Sequence, residues 1–241
     1  MERVTDGTIE QEGAGRCNHQ VGPLQGPSRS TAYLPQRPCA GDRNNRQVAS
    51  EGSSQLMITL RKPGSDDEDA FLKARSAVPV DNPAFLRDYR QDMTYVDFLR
   101  VLEDHCAGRG LPPDVAPSSF LFAFDHGRIV GRASIRHRLT PQLGKIAGHI
   151  GYAVLPEFRN RGYATQILQA SVRFAHIELR LDRVLVTCDD DNAASIRVIE
   201  KNDGVFEDIY QDATLRRPKR RYWIDASVAQ PDRLDSSVAR L

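Results

Sequence analysis

Regular spacing of hydrophobic positions begins only at Leu56. From there to about residue 226, short alternating runs typical of strands follow one another with stretches at the 3.6-residue period of helices. The clearest helical stretch covers 162–180, and its apolar positions fall on one face of a helix: Leu168, Val172, Ala175 and Leu179. The pattern therefore predicts one folded domain over 56–226.

The same pattern gives an order of elements. Strands are predicted over 56–61, 119–124, 129–139, 146–155, 183–188, 205–212 and 220–225, and helices over 66–76, 94–106, 162–180 and 192–202. The order β-α-α-β-β-β-α-β-α-β-β predicts an α/β (α+β) fold with one mixed sheet.

Both ends of the chain lack this periodicity. Residues 1–55 are rich in Gly, Pro and polar side chains and hold too little apolar surface to offset chain entropy, so we expect a disordered N-terminal extension. A second hypothesis is that translation starts at Met57, which the intact mass of the native protein would test. Residues 227–241 are polar, and we expect a flexible tail.

Composition excludes several classes of protein. Among 241 residues, 33 Lys and Arg stand against 32 Asp and Glu, so no global charge points to DNA or a membrane surface. No apolar run reaches the length of a membrane-spanning helix. Four cysteines without a CxxC pair disfavour a disulfide scaffold and a zinc site. We expect a cytoplasmic protein without a metal.

One strand-turn-helix segment carries candidate chemistry. The strand over 146–155 is followed by a basic turn, and a helix opens at once after Gly162. Such a turn directs backbone N–H groups and the positive end of the helix dipole at one spot, which suits a pyrophosphate. Gly162 lets the backbone approach the anion, Ala164 keeps the first turn slim, and Arg159 and Arg161 add positive charge. The segment is neither a Walker A nor a GxGxxG motif.

Two motifs in this region resemble those of a known family. Arg159–Ala164 fits the [QR]xxGx[GA] motif of the GNAT superfamily of N-acetyltransferases, and Asn192–Asn202 resembles that family's NxxSxxVxxK motif. The likeness covers about 57–225 and is greatest to a group of uncharacterised bacterial predicted acetyltransferases. It implies a mixed, mostly antiparallel central sheet with helices on both faces.

The resemblance also implies a reaction. Family members transfer an acetyl group from acetyl-CoA to a primary amine by direct attack in a ternary complex, so the expected acceptor is an amine-bearing small molecule or peptide. Residues 159–165 would hold the pyrophosphate, residues 152–154 would pair with the pantetheine arm like an added strand, and Asn192 would contact this arm or order the pocket. The residues expected to bind acetyl-CoA are Tyr152, Ala153, Val154, Arg159, Asn160, Arg161, Gly162, Tyr163, Ala164, Thr165 and Asn192.

His149 is the candidate for the base that takes a proton from the amine. By strand alternation it shares a face with Gly151 and Ala153, two small residues that leave room for a ligand. The ordinary pKa of an imidazole suits proton removal at neutral pH. The alternative, a histidine hydrogen-bonded within the sheet, stays open.

Two positions depart from the family pattern. Ile199 stands where many members have a tyrosine that reprotonates the thiolate, so Ser195, Tyr163 or water takes that role, or no acid is needed. Ser195 is the candidate that we assign to the catalytic set. Asp203 stands where many members have glycine, which reshapes the turn.

Other readings of the chain are a protein N-terminal or lysine acetyltransferase, and a catalytically silent acyl-CoA-binding domain, suggested by Ile199. A weaker one is an RNA-associated module that uses the cationic run 216–221, although a solvated loop is favoured for this run. The acidic triplet Asp189–Asp191 is interpreted as a cap of the next helix rather than a metal site. If the domain is a homodimer, the exposed sheet edge and the last strands are the expected contacts.

Overall fold

The computed structural model describes residues 58–78, 83–86 and 88–228. The extension predicted over 1–55, and the predicted tail beyond residue 228, lie outside the described residues, so the domain boundaries stay predictions. Within the described ranges, no helix is long and apolar enough to cross a membrane.

The helices and strands of this part of the chain follow the predicted order closely. The strands are β1 (Thr59–Arg61), β2 (Ser118–Asp125), β3 (Arg128–Arg136), β4 (Ile150–Val154), β5 (Arg183–Asp189), β6 (Val205–Tyr210) and β7 (Lys219–Asp225). The helices are α1 (Glu68–Ala77), α2 (Tyr95–Ala107), α3 (Pro141–Ile146), α4 (Tyr163–Leu179) and α5 (Ala193–Glu200).

All seven strands form one sheet in the order β1-β2-β3-β4-β5-β7-β6. Every neighbouring pair is antiparallel except β4 and β5, which run parallel because α4 forms the crossover between them. The prediction of a mixed, mostly antiparallel sheet flanked by helices is confirmed.

The two faces of the sheet pack against different helices. On one face, here called the α2 face, the ring of Phe98 from α2 meets that of Phe120 from β2 at 6.2 Å between centroids. On the other face, here called the α4 face, Ile167 of α4 packs directly against Gly131 of β3. A Cβ added at Gly131 would lie only 2.6 Å from Cδ1 of Ile167. The end of α5 is tied to α4, because Asn202 Nδ2 donates to the carbonyl of Thr165 at 3.3 Å.

A short helix lies between β3 and β4, in the interval where the sequence predicted no helix or strand. β3 ends at Arg136 and β4 begins at Ile150, so the predicted strands over 129–139 and 146–155 were too long. Thr140 caps α3 by accepting from the backbone N–H of Leu143 at 3.3 Å, and Pro141 follows at the first helical position. This Thr-Pro helix start signal was present in the sequence. It favours a helix here, although the apolar residues on both sides of it are typical of strands.

Candidate active site

The parallel pair β4 and β5 meets at one point and then separates. The pairing consists of Ile150 opposite Val186 alone, although β4 continues to Val154 and β5 to Asp189. On their outer sides both strands stay paired along this length, β4 with β3 and β5 with β7. The result is a gap inside the sheet that widens from the Ile150–Val186 pair toward the carboxyl ends of the two strands.

The edge of β4 that lines this gap offers backbone groups. The N–H of Leu155 donates to the carbonyl of Val130 in β3 at 3.0 Å. Because backbone groups alternate in direction along a strand, those of Tyr152 and Val154 point away from β3 and into the gap. Consistent with this direction, Arg159 Nε donates to the carbonyl of Val154 at 3.3 Å. An extended arm placed here can bond to this edge as a further strand does.

The α2 face of β4 carries two small residues, Gly151 and Ala153. The backbone of Ala153 points to Arg132 of β3 rather than into the gap, which corrects its expected part in pairing with the pantetheine arm. A Cβ added at Gly151 would lie 4.0 Å from a guanidinium nitrogen of Arg132 and of Arg136, which are 7% and 8% exposed. The sequence did not predict that Arg132 and Arg136 are buried. Strand alternation shows which face of the sheet an arginine lies on, but not whether that face is buried or exposed to solvent.

The turn after β4 has the conformation that an anion site needs. A 3-10 turn over Pro156–Phe158 is followed by two residues of positive φ, Asn160 at 61° and Gly162 at 86°, and α4 begins at Tyr163. The first hydrogen bond of the helix runs from the N–H of Thr165 to the carbonyl of Gly162. The backbone N–H groups that precede Thr165 therefore have no acceptor within the helix and can bond to an anion. A Cβ at Gly162 would meet nothing within 4 Å, so this point of the backbone faces open space.

The side chains around that turn fall into two groups. Arg159, Asn160, Arg161 and Gly162 are exposed. Tyr163, by contrast, is 3% exposed, and its hydroxyl donates to the Asp125 carboxylate at 2.7 Å. Its side chain therefore anchors α4 to the β2–β3 turn, and only its backbone stays available to an anion. This contact also removes Tyr163 from the candidates that could reprotonate a thiolate.

Across the gap, α5 starts beside β5. Asn192 caps the helix, since its Oδ1 accepts from the N–H of Ser195 at 3.0 Å, so its side chain orders this wall of the gap. The side chain of Ser195 lies next to the hydroxyl of Tyr152, which reaches over from β4, with Cys188 of β5 beside it. Burial raises the pKa of Tyr152 to about 12 and that of Cys188 to about 11, so both stay protonated at neutral pH.

His149 lies outside β4, with its side chain committed to the fold. It is 6% exposed, and its side-chain Nδ1 accepts from the backbone N–H of Leu185 at 2.9 Å. The backbone N–H of His149 in turn donates to the backbone carbonyl of Leu185 at 2.7 Å. Burial, with a smaller effect of Arg136, lowers its pKa to about 4. The acceptor nitrogen is already bonded, so this geometry argues against the base role and favours a histidine bonded within the sheet.

The acidic triplet and the cationic run after it pair with each other. Asp189, Asp190 and Asp191 form ion pairs with Lys219, Arg220 and Arg217, respectively. Asn192, rather than the triplet, caps α5. The interpretation of the triplet as a cap is therefore wrong. The predicted loop is present over 216–218, but Lys219, Arg220 and Arg221 belong to β7. Within the described ranges, no cluster of three or more His, Cys, Asp or Glu is arranged to hold a metal ion.

Comparison with known proteins agrees with this geometry. The family model described as an acetyltransferase (GNAT) domain matches residues 58–205, more than half of the chain. The chain belongs to the GNAT family. A stretch of 82 residues is 30% identical to the uncharacterized N-acetyltransferase YnaD of Bacillus subtilis; it covers 34% of the chain and 46% of YnaD, so the chain spans about half the length of that relative.

Two solved structures show the same GNAT fold. A probable acetyltransferase superposes with a TM-score of 0.51 at 19% identity, over 70% of this chain and 92% of its own. The ribosomal-protein-S5-alanine acetyltransferase of Vibrio fischeri superposes with a TM-score of 0.50 at 14% identity, over 72% of this chain and 96% of its own. The family resemblance stated from the sequence is confirmed.

The two departures from the GNAT pattern have different consequences. Ile199 is fully buried and contributes only packing, so no polar group stands at the family's tyrosine position. Asp203 has a φ of 59°, the left-handed conformation that glycine adopts at lower cost. The turn is therefore built as glycine would build it, which corrects the expectation that Asp203 reshapes it.

Proposed function

We propose that this chain is an acetyl-CoA-dependent N-acetyltransferase that transfers the acetyl group to a primary amine of a small molecule or peptide by direct attack in a ternary complex. The observation that carries the proposal is the gap between β4 and β5, which opens directly onto the turn before α4. An arm seated on the β4 edge would lead from an anion at this turn to the inner end of the gap.

The residues at the gap fit this ligand in three respects. The N–H groups that open α4, with Arg159 and Arg161 at the rim, would hold the pyrophosphate. The backbone groups of Tyr152 and Val154 would bond the pantetheine arm. Acetyl-CoA supplies the activated acyl group as a thioester. Gly151 and Ala153, beside the buried guanidinium groups of Arg132 and Arg136, would form the α2-face side of the gap, from which the amine would approach.

Calorimetric titration of acetyl-CoA into the full chain tests the proposal. We expect saturable binding that is lost in Gly162→Glu, because a carboxylate would stand where the pyrophosphate sits. Gly110→Glu is the matched control, since Gly110 also has a positive φ (68°) and open space around its Cβ position, but lies just after α2. No binding by the wild type, or equal binding by both variants, would refute the assignment.

A catalytically silent acyl-CoA-binding domain is the second candidate, and the buried Ile199 at the tyrosine position favours it. A panel of amines and peptides, followed by mass spectrometry of the products, separates the two: binding without turnover on any amine supports the silent domain. Acetylation of a protein N-terminus or lysine, a cytoplasmic location and a homodimer stay predictions from the sequence.

A further inference from the structure

One polar atom at the inner end of the gap lacks a partner. The hydroxyl of Tyr152 is buried and makes no hydrogen bond of ordinary length and angle within the described part of the chain; the side chain of Ser195 is near enough to lower the pKa of Tyr152 but leaves this bond unmade. Buried hydroxyl groups in folded proteins nearly always bond to protein or to another molecule. A group that enters the gap is therefore the partner to look for.

The position of this hydroxyl follows from the register of the strands. Tyr152 is paired with Ala133 of β3, in line with Gly131, and so faces the α4 side of the sheet. The gap closes at Ile150, and Tyr152 follows two residues later along β4, a distance of about 7 Å along the strand. An arm that starts at the turn before α4 and follows the β4 edge inward passes this level, so its sulfur can lie beside Tyr152.

We propose that the hydroxyl of Tyr152 donates a hydrogen bond to the sulfur of acetyl-CoA and stabilises the negative charge that this atom gains. The inference rests on the proposed function. As the amine nitrogen bonds to the acyl carbon, the C–S bond breaks and its electron pair goes to sulfur. The amine gives its proton to water, and the thiolate takes one from water. Tyr152 keeps its own proton throughout.

The acidity of the two groups explains why Tyr152 is a donor and not an acid. Burial raises the pKa of Tyr152 to about 12, whereas a free thiol has a pKa near 8.5, so a proton moved from the phenol to the thiolate would move uphill. A fixed donor in a buried site stabilises developing charge without transferring its proton. Tyr152 thereby does part of the work expected of a tyrosine at the Ile199 position.

Binding of CoA and of desulfo-CoA, compared by calorimetry at pH 9, tests this role without any acceptor. At that pH part of the CoA thiol is ionised, and binding selects the ionised form because a hydrogen bond to a charged acceptor is the stronger kind. We expect the wild type to bind CoA about tenfold more tightly than desulfo-CoA. In Tyr152→Phe this preference should fall to about one, with affinity for desulfo-CoA retained as proof of an intact fold.

Tyr210→Phe is the matched control, because Tyr210 also donates through its hydroxyl, to Asp212, but lies on the edge strand β6. It should keep the wild-type preference. An equal preference in the wild type and Tyr152→Phe overturns the inference alone, as does a loss of affinity for both ligands in that variant. A wild type that binds neither ligand overturns the proposed function, and the inference with it.

Discussion

Replacement of His149 by glutamine separates the structural role of this side chain from a role in proton transfer. The imidazole is buried, and its Nδ1 accepts from the backbone N–H of Leu185 at 2.9 Å. The side-chain carbonyl of glutamine can accept the same hydrogen bond, but it does not titrate. His149→Gln therefore removes the proton equilibrium and still offers the N–H of Leu185 an acceptor, one bond farther from the backbone than Nδ1. Any constant cost of this change cancels when the pH dependence of stability is compared.

The size of the effect follows from the pKa of His149, which burial and Arg136 lower from the ordinary 6.5 to about 4. Between these two values the unfolded chain holds the proton and the folded chain does not, so protons favour unfolding. The stability that depends on the neutral imidazole is complete above pH 6.5 and is lost as the pH falls toward 4. Linkage gives a loss of about 2 kcal/mol between pH 7 and pH 5.

Urea unfolding of the wild type and His149→Gln at pH 7, 6 and 5 measures this difference, and the contributions of the other titrating groups cancel. The stability of the wild type relative to the variant should fall by about 2 kcal/mol over this range. The same substitution at His126, whose side chain is 91% exposed, controls for the loss of an imidazole.

Parallel pH profiles for the wild type and His149→Gln would refute the reasoning, since they would mean that the imidazole titrates alike in both states of the chain. If turnover at pH 7 were then also lost in the variant, His149 would regain the base role. Unchanged turnover, together with the expected shift in stability, would assign His149 to the fold.

Three further substitutions have expected effects that urea unfolding at pH 7 can check. Asp203→Gly should raise the free energy of unfolding by up to about 1 kcal/mol, because the residue has a positive φ; no gain would contradict the strain. Asn192→Ala should lower it by about 1 kcal/mol through loss of the α5 cap, and serine should restore most of it. Tyr163→Phe should lower it by about 1–3 kcal/mol, because the buried Asp125 carboxylate loses its hydrogen bond; an unchanged value would exclude the anchor role.

The architecture could be predicted because local patterns agreed with the fold. The helix over 162–180 shows a single apolar face and lies within one residue of α4, and the anion turn was recognised from Gly162 and its basic neighbours. Helix α3 was missed because a six-residue helix has less than two full turns of periodicity. Its start signal, a threonine followed by proline, was the only clue.

The site was harder to predict, because distances across the sheet decide it. Tyr152 was selected for its backbone, and its side chain proved equally informative only once α5 placed Ser195 beside it. His149 looked available because its neighbours Gly151 and Ala153 are small. Its partner is the backbone of Leu185, 36 residues later, and a backbone N–H leaves no signature in a sequence.

The cationic run 216–221 shows the same limitation and gives a last prediction. Antiparallel pairing of β5 with β7 places Asp189 opposite Lys219, and the triplet neutralises three cations of the run. Binding to RNA requires cations that replace the counterions of phosphates, and paired cations do so poorly. Fluorescence anisotropy with a labelled single-stranded RNA should therefore show no salt-sensitive binding by the full chain. Binding that weakens with salt and disappears in an Arg217→Ala, Arg220→Ala double variant would contradict this, since it would show that the RNA displaces the carboxylates.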